Sequence, residues 1–290
     1  MGRSMRVLIT GAGGYLGRRL LDHLPADWRV WAGCHRRPVA SRPGLTPLAL
    51  DITQAGAVNA AIRSIRPDLI LHTAIARQPA DFDAVIVQGS AHIAAAAAET
   101  GARLIHLSTD IIFDGAADRY DETALPCPEP PPGQPDPLNP HGRAKARAEN
   151  LVRRLHPAPV IVRTSLIYGF DPLDHSTTWL VEGLRAGQTI TLFSDQIRCP
   201  VYAPDLAASL VELAGGSFTG VLNLAGPSPL SRYEFSLLLC RRLGLDPAGI
   251  LGLPTPPDFV APRRLILVDD LARRLLRTPR HPPHEILPAP

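Results

Sequence analysis

His141 and Lys145 stand four residues apart in "NPHGRAKARAEN", residues 139–150, a spacing that puts both side chains on one face of a helix. An imidazole there is a candidate general acid, because its ordinary pKa of about 6.5 lies close to working pH. An ammonium one turn away disfavours the imidazolium and holds the ring neutral. Lys145 is the only lysine in the chain, since the other 29 of the 30 basic residues are arginine. In a chain that uses arginine everywhere else, a retained lysine marks a place that needs a compact point charge rather than a planar fork.

A second constellation lies near the start. "VLITGAGGYLGRRLLDHL" sets Gly11, Gly14 and Gly17 after an apolar strand and at the opening of a helix. In that context the glycines serve a tight turn, a close backbone approach to a pyrophosphate, and helix-on-sheet packing. The helix N-terminus, with Tyr15 and Leu16 among its first residues, offers amide protons and a partial positive charge to phosphate. At the end of the next strand, "WAGCHRRP" carries His35, Arg36 and Arg37, with no carboxylate anywhere between Asp27 and Asp51. An NAD site would have an acidic residue there for the ribose hydroxyl. Arginines suit a 2′-phosphate instead, so NADP is expected rather than NAD. Asp51 and Ile52, after the third strand, are expected beside the adenine.

Both constellations need a scaffold that brings strand ends and helix starts together. Short apolar runs without alternation at Arg6–Thr10, Arg29–Gly33, Leu48–Leu50, Leu69–Thr73, Arg103–Ser108 and Val160–Arg163 read as strands covered on both faces. Helical patterns at Tyr15–Leu24, Ala55–Ile65, Phe82–Thr100 and Gly142–Leu155 lie between them. This rhythm predicts an α/β fold, a doubly wound parallel sheet of the Rossmann type with a smaller C-terminal substrate lobe. The later half predicts helices at Trp179–Ala186, Asp205–Leu213, Arg232–Leu243 and Asp269–Leu276, and strands at Thr189–Phe193 and Gly220–Gly226. The domain division expected is 1–168 with 199–226 for the dinucleotide, and 169–198 with 227–290 for the lobe. "PSPLSRYEF" (Pro227–Phe235) reads as a helix start, with Ser231 capping and Glu234 completing the box. The proline-crowded segment Leu125–Pro140 reads as a stiff surface loop, either a lid over the site or a plain insertion.

Composition narrows the classes. The net charge of +3 on 290 residues suits a small anionic ligand better than a nucleic-acid duplex. The arginine pairs, such as Arg18-Arg19 and Arg153-Arg154, read as solvated helix faces. No apolar run is long enough to span a membrane. The N-terminal residues show no secretory signal. Four scattered cysteines argue for reduced thiols in a cytoplasmic protein, with neither disulfides nor a metal site.

TGxxGxxG, "LHTAIA" (Leu71–Ala76), "LSTDIIFDG" (Leu107–Gly115), "NPHGRAK" and "RTSLIYG" (Arg163–Gly169) follow one another along the chain. Their order resembles that of the extended short-chain dehydrogenase/reductases. "STDIIFDG" and "DQIRCPVYAPDLA" (Asp195–Ala207) are similar to the dTDP-4-dehydrorhamnose reductase branch. The resemblance covers nearly the whole chain. It implies reduction of a keto group on a nucleotide-linked sugar with hydride from NAD(P)H, and it implies a family that commonly forms dimers. It also implies cofactor contacts from Thr73, Ala74 and Ala76, and a substrate carbonyl bound by Thr109. Lys145 takes the place of the lysine that holds the nicotinamide ribose. Asp110, Tyr168 and Arg198 fall where the substrate is bound, with Arg198 on phosphates and Tyr168 near nicotinamide or sugar. Because Ile111 rather than an acid follows Asp110, dehydration is disfavoured.

The chain departs from the family in having His141 where the proton-donating tyrosine belongs, and Gln88 roughly where an asparagine is frequent. Imidazole is about 2 Å shorter than a phenol, a gap that can cost on the order of 10²-fold. A bridging water, a tilted substrate or Tyr120 from the adjacent loop would close it. An alternative use of the same scaffold is an NADP-binding regulatory subunit, as in the similar beta subunit of methionine adenosyltransferase. Reduction of a non-sugar ketone is another.

Overall fold

The computed structural model describes residues 4–257, 259 and 261–287. Among them, seven strands form one parallel sheet: β1 (Arg6–Thr10), β2 (Arg29–Cys34), β3 (Leu45–Ala49), β4 (Leu69–His72), β5 (Arg103–Thr109), β6 (Val160–Thr164) and β11 (Gly220–Asn223). Their order is β11-β6-β5-β4-β1-β2-β3, and every pairing is parallel. The chain reverses its winding between β1 and β4. In an open sheet, that is where the carboxyl ends of the strands leave a crevice for a ligand.

Burial on both faces explains why the strands lack alternation. Val7, Leu8 and Ile9 of β1 are all fully buried. Val7 and Ile9 pack with Leu20 of α1 (Tyr15–Asp22) and with Leu206 and Leu210 of α6 (Ala203–Gly215). Leu8 faces Ile62 of α2 (Ala55–Ile65) and Ile93 of α3 (Gly89–Thr100). Each such aliphatic side chain contributes about 1.5–3 kcal/mol, so the two cores fix the sheet and hold its C-terminal edge in place.

The expected strand at Leu48–Leu50 begins three residues earlier, at Leu45. Pro47 within it has no N–H to give, and β3 tolerates this because it is the edge strand and pairs with β2 alone. The helix expected over Phe82–Thr100 is two pieces, a π-helical stretch Phe82–Gln88 that runs directly into α3. Helix α4 (Pro140–Leu155) starts two residues before the expected Gly142, with Pro140 in its first turn and Asn139 as its cap. That is the position where a missing N–H costs nothing.

Further elements are β7 (Ile167–Tyr168), α5 (His175–Arg185), β8 (Ile190–Phe193), β9 (Ile197–Arg198), β10 (Val201–Tyr202), β12 (Leu230–Ser231), α7 (Arg232–Leu243), β13 (Ile250–Leu253), α8 (Asp270–Leu275) and α9 (Pro283–Ile286), with short 3-10 turns between some of the elements. Pairs β7–β10, β8–β13 and β9–β12 make small two-stranded ladders. Tyr168, Leu180, Ile190, Phe235 and Leu239 form the core between them. The expected capping box of α7 is present, with Ser231 and Glu234 each bonding the other's amide.

The proline-rich segment is a largely exposed loop, as expected, and it is anchored: Cys127 and Leu138 are buried, and Arg143 of α4 donates to the carbonyls of Cys127 and Pro128 and to both oxygens of Asp136. One expectation is corrected, since Arg19 is not solvated. It is buried, and it donates to the carbonyls of Phe170, Asp171 and Pro172, tying the first helix to the loop before α5.

Candidate active site

The glycine turn leaves β1 at the crevice. Gly11 has a left-handed φ of 73°, and a Cβ on it would lie 2.7 Å from the amide nitrogen of Ala74. Glycine is therefore required there by both conformation and space. Thr73 locks the same junction, its amide and hydroxyl both donating to the carbonyl of Thr10, at 3.2 and 2.9 Å. Gly14 is the N-cap residue of α1, and no side chain caps that helix. The first-turn amides of Tyr15, Leu16 and Gly17 are thus open to an anionic ligand.

The residues expected on the adenosine side sit around this turn. Arg37 presses its carbonyl against Gly13, which brings the loop after β2 to the glycines. Arg36 is 77% exposed and reaches no closer than 4.0 Å to Asp81, so its guanidinium is available to a phosphate. His35 approaches Asp51 at 3.5 Å, while the other Asp51 oxygen accepts from the amide and hydroxyl of Thr53. Ile52 is buried in the second core, its carbonyl bonded to His92 at 2.9 Å. Ala76 is partly buried against the cluster of Ile86, Val87, Ala144 and Ala148, on the side of α4.

Thr109 ends β5, and its hydroxyl donates to Asp110 at 3.2 Å. Helix α4 starts against this turn. The Asn139 side chain accepts from the Gly142 amide at 2.8 Å, and a Cβ at Gly142 would stand 2.3 Å from the carbonyl oxygen of Ile111. Only glycine lets the helix begin so close, and His141, the residue before it, is thereby held near the turn that follows Thr109.

The His141 ring lies 5.3 Å from that of Phe82, and its Nε2 is buried without a hydrogen-bond partner. Burial, then the charges of Lys145 and Arg198, bring its pKa down to about 4. The ring is neutral at pH 7. Lys145 donates to the carbonyl of Leu107 at 2.6 Å, and burial lowers its pKa to about 8 against the opposing pull of Glu149. Below it lie His72 and His106, with ring centroids 5.3 Å apart. Burial and Lys145 keep both neutral. His72 is held by Thr10 and Ser90.

Sequence reasoning missed the support under this face. Glu149, four residues beyond Lys145, is fully buried and takes hydrogen bonds from Ser108 at 2.7 Å and from the fully buried Arg163 at 2.6 Å. His141, Lys145 and Glu149 form one row along α4. The repeated four-residue spacing was the available signal.

Three residues do not stand where the sequence suggested. Arg198, expected on substrate phosphates, instead gives its fork to the fully buried Asp110 and is 19% exposed. Ser165 adds a bond to the same carboxylate at 2.6 Å. Both residues assigned to substrate are therefore largely committed to each other. Tyr168, expected near nicotinamide or sugar, is fully buried in the lobe core against Phe235 and Tyr202. Tyr120 is stacked on Phe113 at 4.1 Å, and its hydroxyl donates to Asp114. It does not enter the site.

Known proteins can now be set beside this geometry. Residues 5–262 match the family model of the RmlD substrate binding domain. A dTDP-4-keto-6-deoxy-D-glucose reductase of Streptomyces niveus is 32% identical over 95% of this chain and 93% of its own length. The methionine adenosyltransferase 2 subunit beta of Xenopus tropicalis is 27% identical over 89% of this chain and 78% of its own. Among solved structures, the dTDP-4-dehydrorhamnose reductase of Bacillus anthracis in complex with NADP superposes with a TM-score of 0.80 at 25% identity, covering 98% of this chain and 97% of that one. With its glycine turn, its Thr109–Asp110 strand end and its His141–Lys145 helix face all inside the matched span, the chain belongs to the RmlD substrate-binding-domain family.

Proposed function

We propose that the chain is an NADPH-dependent reductase of a keto group on a nucleotide-linked sugar. The observation that carries this reading is the packing of α4 on the end of β5, with Gly142 against the Ile111 carbonyl and Lys145 donating to the Leu107 carbonyl, in a sheet whose first strand ends in an uncapped glycine turn. The reductase relatives act on dTDP-linked keto sugars, and the Bacillus anthracis structure holds NADP. The residues fit that cofactor: open amides at the start of α1, the exposed Arg36 and Arg37 for a 2′-phosphate, and the ammonium of Lys145 for ribose hydroxyls. Thr73, Ala74 and Ala76 line its path. Residues 1–168 and 199–226 serve the cofactor in this reading, and 169–198 with 227–290 the substrate. A cytoplasmic homodimer is the expected setting.

When bound, NADPH supplies hydride to the carbonyl carbon. The chain must then hold the carbonyl oxygen and give it a proton. Thr109 turns to that oxygen the hydroxyl hydrogen that otherwise goes to Asp110. His141 acts as a neutral imidazole, the form its burial enforces, and polarises the carbonyl through N–H, as a neutral histidine can in an enzyme site. The developing alkoxide takes the imidazole proton. Lys145, whose ammonium titrates at about 8, resupplies it.

A second reading, an NADP-binding regulatory subunit without turnover, is favoured by the absence of a phenolic acid at position 141 and by the likeness to the methionine adenosyltransferase subunit. Titration with NADPH and NADH, followed by assay on dTDP-4-dehydro sugars, separates the two. The reductase reading expects NADPH to bind more tightly, wild type to turn over, and His141→Phe to lose on the order of 10²-fold or more, the size of a general-acid contribution. Undiminished activity in His141→Phe would remove His141 as donor. Turnover in His141→Tyr alone would favour the second reading, a retired enzyme with a binding role.

A further inference from the structure

Phe82 opens the π-helical stretch Phe82–Gln88, which follows a 3-10 turn over Pro79–Asp81 and runs directly into α3. A π stretch, bonded i to i+5, takes up an extra residue and is found mostly at functional sites. This one packs along α4. Ile86 and Val87 are buried with Ala144 and Ala148, and Phe82 lies partly buried against that cluster. One turn earlier on α4, the same ring meets the imidazole of His141, with centroids 5.3 Å apart and planes tilted by 38°.

The backbone at His141 is pinned on both sides. Asn139 caps the helix by accepting from the Gly142 amide at 2.8 Å, and Gly142 is pressed against the Ile111 carbonyl. What remains free is the setting of the imidazole itself, and Phe82 is the ring that packs on it.

The two imidazole nitrogens are not equivalent in this place. Nε2 is buried and has no hydrogen-bond partner among the described residues. The His141 side as a whole is only partly buried, so Nδ1 is the ring nitrogen left on the open side. A neutral imidazole carries one N–H and one lone pair. The proton is stabilised on the nitrogen that has an acceptor, which is water or an incoming oxygen at Nδ1 and nothing at Nε2. A buried nitrogen is also beyond the reach of a substrate oxygen. The charged groups acting on the ring are Lys145 of its own helix and Arg198 of β9, and both, as cations, keep it neutral.

We propose that Phe82 is the positioning residue for the proton donor: its ring holds the His141 imidazole with Nε2 in the dry wall and with Nδ1–H, the donating group, toward the crevice. This rests on the reading above that His141 protonates a sugar carbonyl, and it names the atom that does so. The N–H bond at Nδ1 breaks as an O–H bond forms on the alkoxide oxygen, and a proton from the Lys145 ammonium makes the ring neutral again.

The test is nitrogen-15 NMR of the histidine rings, with pH–rate profiles and melting curves, for wild type, Phe82→Leu and Phe82→Ala. The signals missing from His141→Phe identify those of His141 among the ten histidines. Wild type is expected to show one neutral tautomer at pH 7, protonated at Nδ1, the reverse of the preference of free histidine in water. Phe82→Ala, which opens the wall to water, should show both tautomers in exchange, with the titration moved up from about 4 toward the ordinary 6.5. Its kcat should fall by about 10- to 100-fold, the cost of a misplaced catalytic group, with KM little changed. Phe82→Leu keeps an apolar wall and should keep the tautomer and most of the rate. The wild-type tautomer decides the matter even where the alanine variant folds poorly. Protonation at Nε2 in wild type would overturn the proposal, as would a Phe82→Ala protein with the tautomer and titration of wild type. The Nδ1–H tautomer, lost in Phe82→Ala, in a protein that turns over no keto sugar would uphold the positioning and sink the reductase reading alone.

Discussion

Replacing Glu149 by glutamine removes one negative charge from a place with no exposure to water, and two consequences follow. Arg163, equally buried, loses its counter-ion. Breaking a buried pair from one side costs about 3–5 kcal/mol, because the partner's charge is left uncompensated. At about 2.1 cal/mol/K of unfolding entropy per residue, the 290 residues give about 0.6 kcal/mol/K, so Tm should drop by about 5–8 °C. The second consequence is functional. Glu149 raises the pKa of Lys145 against the burial that lowers it to about 8, so its loss moves the Lys145 titration further down. A rate that needs the Lys145 ammonium is intact below that pKa and fades above it. The alkaline limb of kcat should therefore begin at lower pH in Glu149→Gln than in wild type. Differential scanning calorimetry reads the first effect and a pH–rate profile the second. The double variant Glu149→Met, Arg163→Met should recover most of the lost Tm, since removing both charges abolishes the mismatch, but not the pH limb. A Tm change under 2 °C with an unmoved limb would refute the reasoning about the α4 row.

Acid should weaken the fold before carboxylates titrate. His72 and His141, at about 3 and 4 in the folded chain, and His106, also depressed, take up protons at about 6.5 when unfolded. Their contribution is complete above pH 6.5 and is lost as pH falls toward the folded values, by about 1.4 kcal/mol per pH unit for each histidine. Urea midpoints measured between pH 7 and 5 should fall steeply, and a flat profile would contradict the burial of these rings. The double variant Arg36→Glu, Arg37→Glu should lose NADPH affinity by about 10- to 100-fold, the worth of charge-assisted bonds to the 2′-phosphate, with NADH affinity little changed. Equal losses for both cofactors in fluorescence titrations would place these arginines elsewhere.

The local pattern of the chain was enough for its scaffold and for one row of its chemistry. Apolar runs bounded by turn residues specify β1 to β6, because an extended segment buried on both faces has a periodicity that only neighbours along the chain need supply. The glycine turn is legible for the same reason: strand, turn and helix are contiguous. His141 and Lys145 could be paired on paper since four residues make about one helical turn, and Glu149 continued that spacing unnoticed. Pro47 concealed half of β3, because whether a proline is tolerated depends on which strand lies at the edge.

What crosses between distant segments was decided by tertiary structure alone. Asp110 and Arg198 are 88 residues apart, and their bond follows from where the ladder carrying Arg198 settles over the end of β5. Tyr168 was legible as a tyrosine but not as a buried one, since its ring is claimed by Phe235 from a helix more than sixty residues later. Pairing of charges and burial of rings depend on positions in space that register and crossovers fix. No periodicity along the chain records them.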